Sequence, residues 1–202
     1  MSTSRMEAFS DGVIAVIITI MVLELQAPHE ATVKALARLA PVLLAYVLSF
    51  LVVAIMWVNH HHLLHFARHA DARLLWTNIF LLFWMSLVPF VTSYLGANAR
   101  APFAVAHYGG VMTMCAAAFS LLRHTVNQHH RNDRTLAEYN RRMLRKSMLS
   151  TALYASTVPL AYASIYIPYA IFIWIPASYF LPEGKLAETS TERQRDPIEP
   201  GA

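Results

Sequence analysis

Cysteine is almost missing from these 202 residues: Cys115 stands alone in an apolar run, so the chain can form neither an intrachain disulfide nor a thiolate-built metal site. Charge is scarce too. Only 14% of residues are Asp, Glu, Lys or Arg against 56% hydrophobic, and a mean hydropathy of +0.41 leaves too little polar material to coat a soluble globule of 22.7 kDa. The six glycines build no phosphate-cradling loop, no Gly-x-Ser-x-Gly elbow and no Thr-Val-Gly-Tyr-Gly filter of the usual potassium-channel type. No nucleophile and base are paired by motif, so an enzyme is not indicated. The 16 Lys and Arg give a net charge of +4, yet they lie between long uncharged runs instead of along one face, which argues against a nucleic-acid partner.

Apolar length is what the chain has in abundance. Residues 39–58, 74–99 and 101–122 carry no formal charge over 20, 26 and 22 positions, each at or above the roughly 20 residues that cross a hydrocarbon core as a helix. The run 148–182 is 35 residues long; as one helix it would reach about 52 Å at 1.5 Å per residue, too far for one crossing. Two spans are expected, with a reversal near residues 166–169 among Pro159, Pro168, Pro176 and Pro182. The first apolar stretch, residues 12–23, is only 12 long. It reads poorly as a secretion signal, because Glu7 and Asp11 precede it and no small-x-small cleavage site follows. As a span it would run about 5–26, with Asp11 near one boundary and Glu24 near the other.

The fold expected is therefore all-α and polytopic, a membrane unit over residues 1–182 with six spans at about 5–26, 39–60, 74–99, 101–122, 148–165 and 169–182. A tail, 183–202, mixes charge with Pro, Ser and Thr and reads as disordered. With six spans, 13 Lys and Arg fall on one side and 3 on the other. The positive-inside rule then places both termini in the cytoplasm of a cell-membrane protein. The basic stretch 124–146 reads as a solvated helical extension or a contact for anionic lipid headgroups.

Two clusters offer chemistry. His60, His61, His62, His65 and His69 follow the second span, and His61, His65 and His69 share one helix face at a spacing that suits zinc or haem. Boundary anchoring and pH sensing are the competing readings. On the first helix, Val16, Ile20 and Leu23 form one apolar stripe with Thr19 at its flank. By itself such a stripe more often faces lipid or packs on a neighbour. Polar ends around an apolar middle shift the balance, because a helix lined by water at both mouths satisfies them.

Arg5 followed by Phe9-Ser10-Asp11 resembles the Arg-x-x-x-Phe-Ser-Asp signature of the transmembrane protein 175 family of potassium channels. Trp57, His60, Asp71, Leu74, Asn78 and Pro89-Phe90 follow in the order and spacing of the family's second and third helices, so the resemblance covers about residues 5–90. It implies a potassium-permeable cation channel without a conventional filter; animal lysosomal members are also proton pathways. One six-helix repeat resembles the bacterial form, a homotetramer around a pore lined by the first helix. In that register the apolar gate falls on Val16, Ile20 and Leu23 and the selectivity hydroxyl on Thr19. The network holding the pore helix would draw on Arg5, Phe9, Ser10, Asp11, Gly12, His60, Asp71 and Asn78. Arg5 and Asp11 are expected to pair with His60, Asp71 or Asn78. Val16 is smaller than the Ile or Leu common at its position. No cofactor is implied beyond the permeant potassium ion, and the partners are membrane lipid and further copies of the chain. A secondary transporter and a membrane-embedded, His-rich metal or haem protein stay open as alternatives.

Overall fold

The computed structural model describes residues 3–67, 70–128 and 134–180, with side chains for all but 134–142 and 180. Its elements are helical throughout: α1 (Thr3–Leu23), α2 (Val33–Arg38), α3 (Ala40–His65), α4 (Ala72–Ser86), α5 (Val88–Ala97), α6 (Pro102–Gln128), α7 (Arg134–Ala163) and α8 (Tyr166–Phe180). Among the described residues, four stretches suffice by length and composition to cross a bilayer, namely Thr3–Leu23, Ala40–His65, Ala72–Ala97 and Pro102–Gln128. The third of these is α4 and α5 in sequence.

Local chemistry sets most of the boundaries. Asp71 caps α4, its Oδ1 accepting from the Leu74 amide at 2.7 Å, and Thr32 caps α2 through the Ala35 amide at 3.1 Å. Proline sits in the first turn of α3 and α5, where its missing N–H is not needed. Pro89 also explains the division of the third span. It cannot donate to the carbonyl of Met85, so the ladder of α4 fails there and α5 restarts after Leu87.

The structure moves two sequence expectations. The reversal placed at residues 166–169 lies at Ser164 and Ile165. Pro168 excludes a helical carbonyl four residues earlier, at Ser164, and so sits in the opening turn of α8 instead of marking the break. The basic stretch 124–146 is helical where it is described, as its reading as a helical extension expects, but α7 begins at Arg134, so the span expected from residue 148 starts well inside a longer helix. Helix α2 is an element that sequence reading passed over. Its Val33 and Leu36 are exposed and only Ala35 is buried, so no apolar period marked it. The expected tail, 183–202, lies outside the described residues.

Helix α6 is the centre of the packing, touching α3, α4, α5 and most extensively α7. Small residues allow the close approach. A Cβ on Gly109 would run into Thr157 Oγ1 of α7, and one on Gly96 of α5 would stand 2.8 Å from the Val42 Cα of α3. A buried polar knot pins three helices together: Thr92 Oγ1 lies 2.7 Å from Ser49 Oγ, which lies 3.0 Å from the Tyr108 hydroxyl. Thr92 Oγ1 is also 2.7 Å from the Val88 carbonyl of its own helix, so these groups are satisfied within the protein, as a medium without water requires. Helix α1 lies outside this centre, packed against α3, α4 and α5.

Candidate functional site

Helix α1 has two unlike faces. Met6, Ser10, Ile14, Ile17 and Met21 recur at three- and four-residue steps and are all buried. The opposite face is the exposed one. Gly12, Ala15, Val16, Thr19, Ile20 and Leu23 are exposed, Val16 by 54%, Ile20 by 42% and Leu23 by 77%. The face thus joins two apolar turns to a hydroxyl and a glycine. Thr19 Oγ1 donates to the Val16 carbonyl at 2.8 Å, within its own helix, which leaves its oxygen lone pairs turned outward.

The buried face is mounted on its neighbours by a directed chain of hydrogen bonds. Ser10 Oγ donates to the Met6 carbonyl at 2.9 Å, and Asn78 Nδ2 of α4 donates to Ser10 Oγ at 2.9 Å. Asn78 Oδ1 stands 2.7 Å from His60 Nε2 of α3. An amide oxygen only accepts, so His60 must carry its proton on Nε2 and the tautomer is fixed. The other ring nitrogen, Nδ1, is buried without a hydrogen-bond partner. All three side chains are buried, so the chain ties α1, α4 and α3 at one point where each lost bond leaves a polar atom with no water.

A second set of contacts closes the pair α1 and α3. Asp11 accepts from Trp57 Nε1 at 2.9 Å, and one turn earlier on α1 Glu7 Oε1 lies 2.8 Å from His61 Nδ1, one turn later on α3. Four residues forward on one helix match four back on the other, as antiparallel neighbours require. Trp57, His61 and His65 form a ladder of rings along α3, with centroids 6.1 and 4.5 Å apart at successive steps.

Measured against the sequence expectations, the structure gathers Ser10, His60 and Asn78 into one contact chain. It places Asp71 at the N-terminus of α4 as that helix's cap. Asp11 departs from expectation: its partner is Trp57 in place of His60, Asp71 or Asn78, because one step along α1 from Ser10 turns it about 100° toward the outer edge of α3. Phe9 and Gly12 lie on the exposed face, and a Cβ added to Gly12 would meet nothing within 4 Å. Arg5 is exposed at the start of α1. Glu24 is exposed just beyond its end. His69 lies outside the described residues. Sequence reading missed the pairing of Glu7 with His61, although the reciprocal four-residue spacings Glu7/Asp11 and Trp57/His61 were there to suggest it.

Comparison with known proteins agrees with this architecture. Residues 5–89 match the family profile described as "Endosomal/lysosomal potassium channel TMEM175". The chain is 34% identical to a potassium channel of Chryseobacterium sp. (strain P1-3) over 95% of its own length and 100% of that protein's. To a potassium channel of Chamaesiphon minutus it is 31% identical, over 88% of this chain and 93% of the other. The crystal structure of a lysosomal potassium-selective channel TMEM175 homolog from Chamaesiphon minutus superposes with a TM-score of 0.79 at 28% identity, covering 91% of this chain and 98% of that one. The likeness extends from the α1 signature through the helices that mount it, and this chain belongs to the TMEM175 family.

Proposed function

We propose that the chain is a passive, potassium-permeable channel of the cell membrane, assembled as a homotetramer whose conduction path is lined by the outer face of α1. The observation that carries this reading is the division of α1 itself. One face is buried and held by Ser10, Asn78 and His60, while the face bearing Val16, Thr19, Ile20 and Leu23 is exposed. A rigid mount behind an uncovered stripe suits a helix that meets its symmetry mates across a narrow space. In this reading α7 and α8 complete six spans, with both termini in the cytoplasm.

The mechanism needs no bound cofactor and no energy store. Four copies of Val16, Ile20 and Leu23 form stacked apolar rings that exclude water when narrow and rewet on a small widening, which gates by dewetting. Thr19 sits within the stripe, and its outward oxygen lone pairs replace part of a dehydrated cation's water shell. Glu24, exposed one residue beyond α1, concentrates cations at that mouth by its charge. The polar mount does not touch the ion. It fixes how far each α1 can tilt, and hence the width of the rings.

Purified protein in liposomes should pass potassium down its gradient with no second ion present, and Ile20→Asn, which is smaller and wets the ring, should raise the flux. Saturable transport that requires a sodium or proton gradient would overturn the channel reading. Equal flux from Ile20→Asn and the unaltered protein would remove α1 from the path.

A further inference from the structure

The contact between Glu7 and His61 has a third member that the mount of α1 does not use. His65 Nε2 lies 3.1 Å from His61 Nε2, and Glu7 Oε1 lies 2.8 Å from His61 Nδ1. One ligand atom from each residue falls within 4.8 Å of the other two. Two ligand atoms on a tetrahedral zinc, with bonds of about 2.0–2.1 Å, stand roughly 3.3 Å apart. The two short contacts use opposite nitrogens of the His61 ring, so one ion takes a single His61 nitrogen, and side-chain rotation closes the remaining separation of up to 4.8 Å. His61 and His65 are one turn apart on α3, so the helix itself holds the pair in register. His65 is exposed, and Glu7 and His61 are partly so, which gives an ion a path in from solvent and room for water in the fourth position.

We propose that Glu7, His61 and His65 form a binding site for a zinc-class divalent ion, Zn2+ in the first instance, with water completing the tetrahedron. The donor set selects the ion. Two imidazoles and one carboxylate suit zinc and its transition-metal neighbours, whereas magnesium and calcium take oxygen ligands. The Glu7 carboxylate offsets part of the ion's charge, and the His61 nitrogen that does not bind the ion keeps its proton. Its ligands come from two elements. Glu7 belongs to α1 and the histidines to α3, so a bound ion fastens α1 to α3 one turn outside the bond from Asp11 to Trp57. The site lies on the mount of α1, away from the stripe of Val16, Ile20 and Leu23.

The test is metal binding to the full-length protein, purified in detergent and freed of metal, with zinc chloride as the only added ligand. Calorimetry should give one zinc per chain. Cobalt in its place should show the intense visible bands of a tetrahedral site. His65→Ala, at an exposed position, should weaken zinc binding by about tenfold or more, and so should Glu7→Gln. His62→Ala, the neighbouring exposed imidazole, should bind as the unaltered protein does. Zinc should also raise the thermal midpoint of the unaltered protein and leave that of Glu7→Gln in place. Unaltered protein that binds no zinc, or equal binding by the unaltered protein and a His61→Ala, His65→Ala double variant, would overturn the proposal.

Discussion

Helices α1 and α6 are both apolar enough to cross a bilayer, and α1 is the more apolar of the two, yet they are used in opposite ways. In its most apolar 18-residue stretch α6 is 61% buried and α1 only 28%. Helix α6 is finished inside one chain: Tyr108, Met112, Cys115 and Leu122 are all buried, and α7 lies against it closely enough that Gly109 has no room for a side chain. Helix α1 is finished on one side only. In lipid, apolarity carries no preference for the inside, because tails are as greasy as leucine. What distinguishes a buried helix from one awaiting a partner is therefore its small and polar residues. On α6 Gly109 and Ser120 face α7 of the same chain. On α1 one of them, Ser10, faces inward, and Gly12 and Thr19 face out.

The largest effect should come from filling the contact that α6 cannot spare. Gly109→Val drives its side chain into Thr157, whose Cβ stands 3.2 Å from where a new Cβ would lie, so turning the hydroxyl aside does not clear the clash. Overpacking of this kind costs about 1–3 kcal/mol or more. Gly110→Ala, one residue on, meets nothing within 4 Å and gains helix propensity worth up to about 1 kcal/mol. Thermal unfolding in detergent should separate these two neighbours in opposite directions. Similar loss in both would mean that α6 is not packed through Gly109.

Next in size is the mount of α1. Asn78→Ala removes two hydrogen bonds and leaves Ser10 and His60 buried with one fewer partner each, at an expected cost of about 1–3 kcal/mol by unfolding. A double-mutant cycle with Ser10→Ala should show coupling of about 0.6–1.7 kcal/mol, the range found for hydrogen bonds between membrane helices. Strict additivity would show that the two side chains do not share their energy. The comparison of helices would then lose its inner half.

Much of this was legible in the residues. The uncharged runs located α3, the α4 and α5 pair and α6, because length in an apolar medium is set by bilayer thickness. The signature around Phe9-Ser10-Asp11 with Asn78 and His60 pointed at the mount, since polar side chains inside a membrane need partners. Other features were hidden for physical reasons. Which end of the run 148–182 held the reversal depended on where Pro168 could sit, at a helix start or in its interior, and spacing alone permits both. That Asp11 turns to Trp57 depended on a 100° step between adjacent side chains. Glu7 was read only as a charge that argues against a secretion signal, when its reach to His61 needed the antiparallel register of α1 and α3.

The smaller effects lie on the outer face of α1, where they test the comparison from its other side. Leu23→Ala trims a side chain that is 77% exposed, so unfolding should move by no more than about 0.5 kcal/mol. Thr19→Ala should move it least. The only hydrogen bond lost is local, from Oγ1 to the Val16 carbonyl at 2.8 Å, and alanine favours the helix, so the two changes offset within a few tenths of a kcal/mol. Function should respond where stability does not. If the Thr19 oxygen lone pairs meet the permeant ion, Thr19→Ala should shift the reversal potential under opposed potassium and sodium gradients toward sodium. Thr19→Ser, which keeps the hydroxyl, should restore it. A reversal potential that is the same in all three proteins would make this face ordinary lipid-facing surface, and the contrast between α1 and α6 would then be one of position in the bundle, with no bearing on conduction.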